Sequence, residues 1–239
     1  LDDAVIVYPG HTAGSACGKQ IGDAPHTSMG QEKRFNYAFQ ARSKDSFVRM
    51  VLDGMPEPPT YYPVLKRVNK DGATLLSALA GAEALSPDRL AERQSSGALV
   101  VDARTPEAFG AGHVPGADFA GLGPNFTTWM GWLAPYDRDL ILVLDDEAQI
   151  DGATIELHRI GLDRISGYLA GGMNAWRAAG RGVTELPQIS VHALAERLGD
   201  ARRAPVVLDV RSSEEWAGGH IAGAVHRFAG EIAQGADAS

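Results

Sequence analysis

The sequence predicts an α/β fold, a parallel sheet with flanking helices, over most of its 239 residues. Three observations predict it. From Ser86 onward, short apolar runs alternate with helix-length amphipathic ones, the pattern of strands joined by crossover helices. Two of those runs, Ala98-Leu99-Val100-Val101 and Leu140 to Leu144, are apolar without interruption, as strands covered on both faces are. Finally, Val101 to Ala117 recurs 107 positions later as Leu208 to Ala224, sharing Asp-x-Arg-[Ser/Thr]-x-Glu-x-aromatic-x-x-Gly-His-[Val/Ile]-x-Gly-Ala without a gap. A period of that size belongs to a domain, being far longer than a solenoid repeat.

Taken in order, Val5-Ile6-Val7 reads as a strand running into Tyr8-Pro9-Gly10-His11 and a Gly-rich loop. A basic helical stretch follows over Gln31 to Arg42, then a helix around Phe47 to Leu52 with apolar residues at helical spacing. Gly54 stops it, and Pro56, Pro58 and Pro59 prevent its resumption. Residues 60–85 are ambiguous, with Ala73 to Leu85 Ala-rich enough for a linking helix. Ser86-Pro87 is an N-cap and first-turn pair for a helix over Asp88 to Gln94. Thr105-Pro106 opens the next helix, Phe126 to Leu133 forms a third, and Ala153 to Ile160 follows the strand at Leu140. A strand over Arg164 to Leu169 leads through Gly171-Gly172 into a helix from Met173 to Ala179, closed by Gly180. The pattern then restarts with a helix over Val191 to Leu198, the strand Val206-Val207-Leu208, and a helix whose capping box pairs Ser212 with Glu215.

With 44% apolar and 22% charged residues, the chain has material for one large or two ordinary domains with real cores, which excludes a disordered protein. No apolar run approaches the roughly 20 residues that span a bilayer, and no signal peptide is present, so a cytoplasmic protein with no membrane partner is the expectation. The net charge of −8 argues against nucleic acid, whose phosphates are held by clustered Lys and Arg. That charge is uneven. Residues 1–70 carry 9 Lys and Arg against 7 Asp and Glu, whereas residues 71–239 carry 13 against 23, placing a domain boundary near Asp71. Cys17 is the only cysteine; it rules out an internal disulfide framework, fits a reducing compartment, and leaves everything after it without a thiol nucleophile.

The duplicated Asp-x-Arg to Gly-Ala pattern, together with Tyr168-Leu169-Ala170-Gly171-Gly172-Met173-x-Ala175-Trp176, resembles the rhodanese (thiosulfate sulfurtransferase) family. The resemblance covers residues 86–184 as one complete unit and 189–239 as the front half of a second, with 73–85 as linker. Residues 1–72, through Tyr8-Pro9-Gly10-His11, Gly14-Ser15-Ala16-Cys17-Gly18, Glu32-Lys33-Arg34-Phe35-Asn36 and Pro56-Glu57-Pro58-Pro59, resemble the C-terminal part of a metallo-β-lactamase fold. The order is similar to fusions of a persulfide dioxygenase-like metallo-β-lactamase domain with tandem rhodanese domains. Since the second copy has only Val225 to Ser239 beyond its Gly-Ala, and the chain opens on Leu1, it is read as an internal piece of a longer protein. The resemblance implies oxidation or transfer of sulfane sulfur, with iron or zinc in the preceding part of the parent and none in this chain alone. The implied partners are persulfide, thiosulfate and a glutathione-type thiol, and a homodimer.

A rhodanese carries its nucleophilic Cys just after the central strand, in a loop whose N–H groups stabilise a thiolate and its persulfide. Here that strand is followed by Asp145-Asp146-Glu147-Ala148-Gln149-Ile150-Asp151, with Asp145 at the expected Cys position. A carboxylate cannot carry sulfane sulfur, and four acids in seven residues repel thiosulfate and persulfide anions, so the complete unit is read as catalytically inactive. The same acids suit a hard cation by type, although an exposed acidic loop is ordinarily just solvated. His113 and His220, in matching Gly-His turns, are read as structural; Asp102 with Arg104, and Asp209 with Arg211, as strand-end ion pairs; Trp176 as core. The metallo-β-lactamase resemblance makes His11 a candidate metal ligand in the intact parent, Cys17 a thiol near that metal, and Lys33 and Arg34 candidates for binding the thiol carrier. Gly14 to Gln20 mimics a phosphate-binding loop, but Ala13 stands where its first Gly belongs and Gln20 lacks the hydroxyl, so nucleotide binding is rejected.

The expectation is therefore part of a persulfide dioxygenase and sulfurtransferase fusion. Two alternatives stand beside it: a non-catalytic rhodanese-type interaction or dimerisation module, and a glyoxalase II-type thioester hydrolase in the parent.

Overall fold

The computed structural model describes residues 1–10, 24–53, 61–200, 202 and 204–233. They fall into two compact units, Leu1–Pro58 and Pro59–Ser239.

In the first unit, β1 (Ile6–Val7) pairs antiparallel with β2 (Thr27–Ser28), Ile6 opposite Ser28. Ser28 ends that strand and caps α1 (Met29–Phe35), its side chain accepting the Gln31 N–H. The basic stretch to Arg42 is not one helix. Asn36 leaves the helical conformation and its side chain accepts the Ala38 N–H, starting a separate 3-10 turn over Tyr37–Gln40. Ser43 and Ser46 form a capping box for α2 (Lys44–Leu52).

In the second unit, α3 (Tyr62–Asp71) precedes a five-stranded parallel sheet. Its strands are β3 (Glu83–Leu85), β4 (Leu99–Asp102), β5 (Asp118–Phe119), β6 (Leu140–Val143) and β7 (Ile165–Leu169), in the spatial order β3-β7-β6-β4-β5. Between them run α4 (Pro87–Ser95), α5 (Pro106–Gly110), α6 (Phe126–Leu133) and α7 (Ile150–Arg159), and α8 (Gly172–Ala178) follows the last strand. The linking helix expected over Ala73 to Leu85 does not form. Leu76–Ala78 make a 3-10 turn, and Glu83, Ala84 and Leu85 pair in parallel with Gly167, Tyr168 and Leu169. Strand pairing overrides the helical preference of an Ala-rich stretch here because Leu85, 1% exposed, enters the core.

Period-two alternation sends each central strand into two cores. Leu99, Val101, Leu140 and Leu142 face Phe126 and Met130 of α6 and Ala153 and Leu157 of α7. Val100, Ile141 and Val143 face Leu90 of α4 and Met173 and Trp176 of α8. Trp176 is buried and its indole N–H donates to Gly182 O at 2.8 Å, so its polar atom is satisfied. The sheet therefore presents the C-terminal ends of β4, β6 and β7 side by side, the crevice where open α/β sheets place ligands.

The repeat continues with α9 (Val191–Gly199), β8 (Leu208–Asp209), α10 (Ser213–Gly218), β9 (Val225–His226) and α11 (Ala229–Ala233). Leu208 pairs with Val225 and Asp209 with His226, each 107 positions from the pairs Val101 with Asp118 and Asp102 with Phe119. The offset thus holds in strand register as well as in letters. Among the described residues no helix is long and apolar enough to cross a membrane.

Candidate functional site

Three loops build the site at the C-terminal edge of the sheet. After β4, Arg104 folds back on Asp102: Nε donates to Oδ1 at 2.9 Å, a terminal nitrogen to Oδ2 at 2.7 Å, and the same nitrogen to Gly112 O at 2.9 Å. Asp102 is 0% exposed and Arg104 7%, so the guanidinium charge is matched and enclosed. Gly112, at φ +143, gives the backbone path that brings its carbonyl to the arginine. His113 then stacks on Phe109 with ring centroids 3.7 Å apart, and its Nδ1 lies 2.9 Å from Phe109 O. A carbonyl can only accept, which makes Nδ1 the protonated nitrogen. Its backbone exchanges hydrogen bonds with Thr184 at 2.9 and 3.0 Å. Both features tie the Gly112-His113 turn to its neighbours.

The second copy repeats the frame. Arg211 bonds Asp209 at 2.9 and 2.6 Å and Gly219 O at 2.8 Å, and His220 stacks on Trp216 at 3.5 Å with Nδ1 3.0 Å from Trp216 O. The hydrogen bonds from Arg211 hold the Asp209 carboxyl down to about 2. The difference lies in burial: the Arg211 side chain is 43% exposed. A third ring, His226, stands 107 positions after Phe119 and stacks on Trp216 with centroids 4.9 Å apart.

After β6, Asp145 is exposed at the expected cysteine position, and the rest of the loop closes on itself. The Asp146 carboxylate accepts the Ala148 N–H at 2.9 Å, and the Gln149 side chain accepts the Asp146 N–H at 3.2 Å. Glu147 reaches across to the third loop, accepting the Gly171 N–H at 2.7 Å and the Tyr168 hydroxyl at 3.3 Å. Partial burial and the Glu147 carboxylate push the Tyr168 hydroxyl above its usual range. Gly171 and Gly172, at φ +70 and +56, turn the chain from β7 into α8. Thus the amides of Asp146, Ala148 and Gly171, which an anion-stabilising loop would direct at its ligand, are held by acceptors of the chain itself.

Two clefts flank this loop and share Arg104 and Asp145. One, of about 370 Å³, lies between the loops after β4 and β6 and the start of α6, with Phe119, Asn125, Trp129 and Gln149 on its walls. The other, of about 400 Å³, lies toward Gly171, Asn174 and Arg177. The aromatic wall and the Glu147 tie were not singled out from the sequence. Trp129 sits in a helix that reads as core, and Glu147 meets Gly171 across 24 residues of chain.

The remaining candidates lie apart from this edge in the chain. Lys33 in the first unit donates to Asp3 Oδ1 at 2.6 Å and to Leu1 O at 2.9 Å, which commits its ammonium locally, and Arg34 is exposed. The Lys33 ammonium in turn holds the Asp3 carboxyl below its usual range. His11 and Cys17 lie outside the described residues. Among the described residues no group of three or more His, Cys, Asp and Glu is placed to hold a metal ion, so Asp145, Asp146, Glu147 and Asp151 do not converge on one point.

Comparison with known proteins places these features. A metallo-β-lactamase from Staphylococcus aureus subsp. aureus COL is similar at 31% identity and a TM-score of 0.53, over 71% of this chain and 46% of that one. The chain thus spans less than half the length of that protein. A thiosulfate sulfurtransferase from Pseudomonas aeruginosa aligns at 17% identity, over 74% of this chain and 38% of that one, with a TM-score of 0.38. The Alr3790 protein from Anabaena sp. aligns at 19%, over 46% and 85%, also at 0.38. No curated protein matches the chain. The family model described as rhodanese-like domain matches residues 86–179 and 190–237, more than half of the chain, with the duplicated Asp–Arg–His frame inside both matches. The chain belongs to the rhodanese-like domain family.

Proposed function

We propose that this chain is part of a sulfane-sulfur enzyme, a persulfide dioxygenase and sulfurtransferase fusion, in which the complete rhodanese-like unit is catalytically inert. Two features support the inert reading: Asp145 stands where the resemblance expects the nucleophile, and the amides of Asp146, Ala148 and Gly171 are engaged by Gln149, Asp146 and Glu147. A persulfide formed at this point would need a thiolate and free donors around it; the loop has no thiol, and the amides of Asp146, Ala148 and Gly171 are already bonded within the chain. The iron or zinc of the parent would be held mainly by residues preceding this chain, with His11 beside it and a glutathione-type thiol as carrier. Persulfide and thiosulfate are the substrates this reading implies.

The engaged loop also favours a second reading, a rhodanese-type interaction or dimerisation module, since a site closed by its own acceptors retains shape without chemistry. An assay of cyanide-dependent sulfur transfer from thiosulfate tests the inert unit. The purified chain is expected to give no thiocyanate above background, and steady turnover would overturn the proposal.

A further inference from the structure

Among the described residues, the cleft on the α6 side of Asp145 brings an uncommitted charge together with aromatic side chains. Its other charged lining group, Arg104, is neutralised by Asp102 and enclosed. Of the acids beside it, Asp146 caps the 3-10 turn and Glu147 holds Gly171, whereas Asp145 has no hydrogen-bond or ion-pair partner among the described residues. Phe119 and Trp129, whose rings also touch Phe109 and Phe228, line the same cleft with two side-chain amides, Asn125 and Gln149. Asn125 occupies the N-cap position of α6 without making a cap hydrogen bond, which leaves its amide available to the cleft. Residues 71–239 carry a net charge of −10, so the surrounding field also draws cations.

A carboxylate and two aromatic side chains lining one cleft of about 370 Å³ suit one ligand chemistry. The negative faces of Trp and Phe attract an ammonium group, primary or quaternary, and the carboxylate supplies its counter-charge; the Asn125 amide oxygen can in addition accept an N–H of a primary ammonium, while that of Gln149 already accepts the Asp146 N–H. We propose that this cleft binds a small organic cation, a primary or quaternary ammonium, through Asp145 and Trp129. This inference rests on the reading that the first rhodanese-like unit transfers no sulfur, and it inverts the charge preference that such a cleft needs for thiosulfate.

The test titrates the full chain with butylammonium and with tetramethylammonium at fixed ionic strength, following the side-chain amide signals of Asn125 and Gln149 and the indole N–H of Trp129 by NMR. Saturable shifts are expected, weakened about tenfold by Asp145→Asn, as loss of a charge-assisted contact implies, and unchanged by Asp151→Asn, an acid of the same stretch outside both clefts. Absence of saturation, equal weakening by Asp151→Asn, or saturation of the same signals by thiosulfate would each overturn the inference. A lysine-containing hexapeptide that binds tighter than butylammonium would assign the ammonium to a polypeptide side chain, and weaker binding would assign it to a free amine. Sulfur transfer to cyanide by the same preparation would overturn the inert-unit reading instead, so the two failures are told apart.

Discussion

The Glu147 carboxylate accepts the backbone N–H of Gly171 at 2.7 Å, and through that bond the loop after β6 is fastened to the turn that opens α8. Two strand ends that could carry separate, mobile loops are thereby one rigid edge, and the amide of the Gly-Gly turn has its partner.

Placing a thiol at position 145 therefore does not rebuild a sulfurtransferase. Asp145→Cys is expected to stay at background in the thiosulfate and cyanide assay, because the amides of Asp146 and Ala148 remain bonded inside the loop. Turnover in that variant would show that the loop reopens around a thiolate.

Removing the tie should be felt in stability. Glu147→Ala is expected to cost about 1 kcal/mol in urea unfolding, the net worth of an ordinary protein hydrogen bond, and to sharpen hydrogen exchange at Gly171. An unchanged exchange rate at Gly171 would contradict the bond.

The buried frame of the first copy is far more sensitive. Asp102→Asn leaves Arg104 enclosed without its counter-charge, a loss of about 3–5 kcal/mol for buried pairs of this kind. Asp209→Asn is expected to cost clearly less, because Arg211 reaches water. Chemical denaturation of the two variants compares them directly.

The second copy holds two carboxyls whose low folded-state values make it acid-sensitive. The folded-state value of Asp209, about 2, lies below the 3.8 of an unperturbed aspartate. Its stabilisation is therefore present in full above about pH 4 and is lost as pH falls through 2. Glu215, held low by its hydrogen bonds from Ser212, shifts in the same direction. Trp216 fluorescence followed from pH 5 to pH 1.5 should report the loss, and Asp209→Asn should flatten the profile in that window.

Steric contact fixes the outermost strand. A Cβ on Gly167 would lie 2.7 Å from Glu83 O, a backbone atom that cannot swing away. Gly167→Ala is expected to cost about 2 kcal/mol, the scale of an overpacked core, and to raise hydrogen exchange in β3 before the rest of the sheet.

Much of the fold is legible in the sequence because its signals are local and repeated. Leu140 to Val143 is uniformly apolar, Ser212 and Glu215 spell out a capping box, and the 107-residue offset carries register from Asp102 and Phe119 to Asp209 and His226. Glu83 to Leu85 and Asp118-Phe119 escape such reading, since two or three residues show no period and their identity as strands comes from Gly167 and Val101 across the sheet. The helix α3 lies within the second compact unit, although the change of charge places a boundary near Asp71, because composition averages over segments and packing does not. At the site, Asp145 is readable from its place after an apolar strand. The walls contributed by Phe119 and Trp129 are not, for they meet it only once the sheet has closed.

The twin Asp–Arg–His frames bear on how the chain folds. Every bond from Arg104, and from His113 to Phe109, closes within eight residues, as do their counterparts around Arg211 and His220. Loops so short have little closure entropy to overcome. The same bonds form in the second copy, where the Arg211 side chain is 43% exposed against 7% for Arg104. Each frame is accordingly a local unit that joins a strand end to its own turn at little cost in chain entropy.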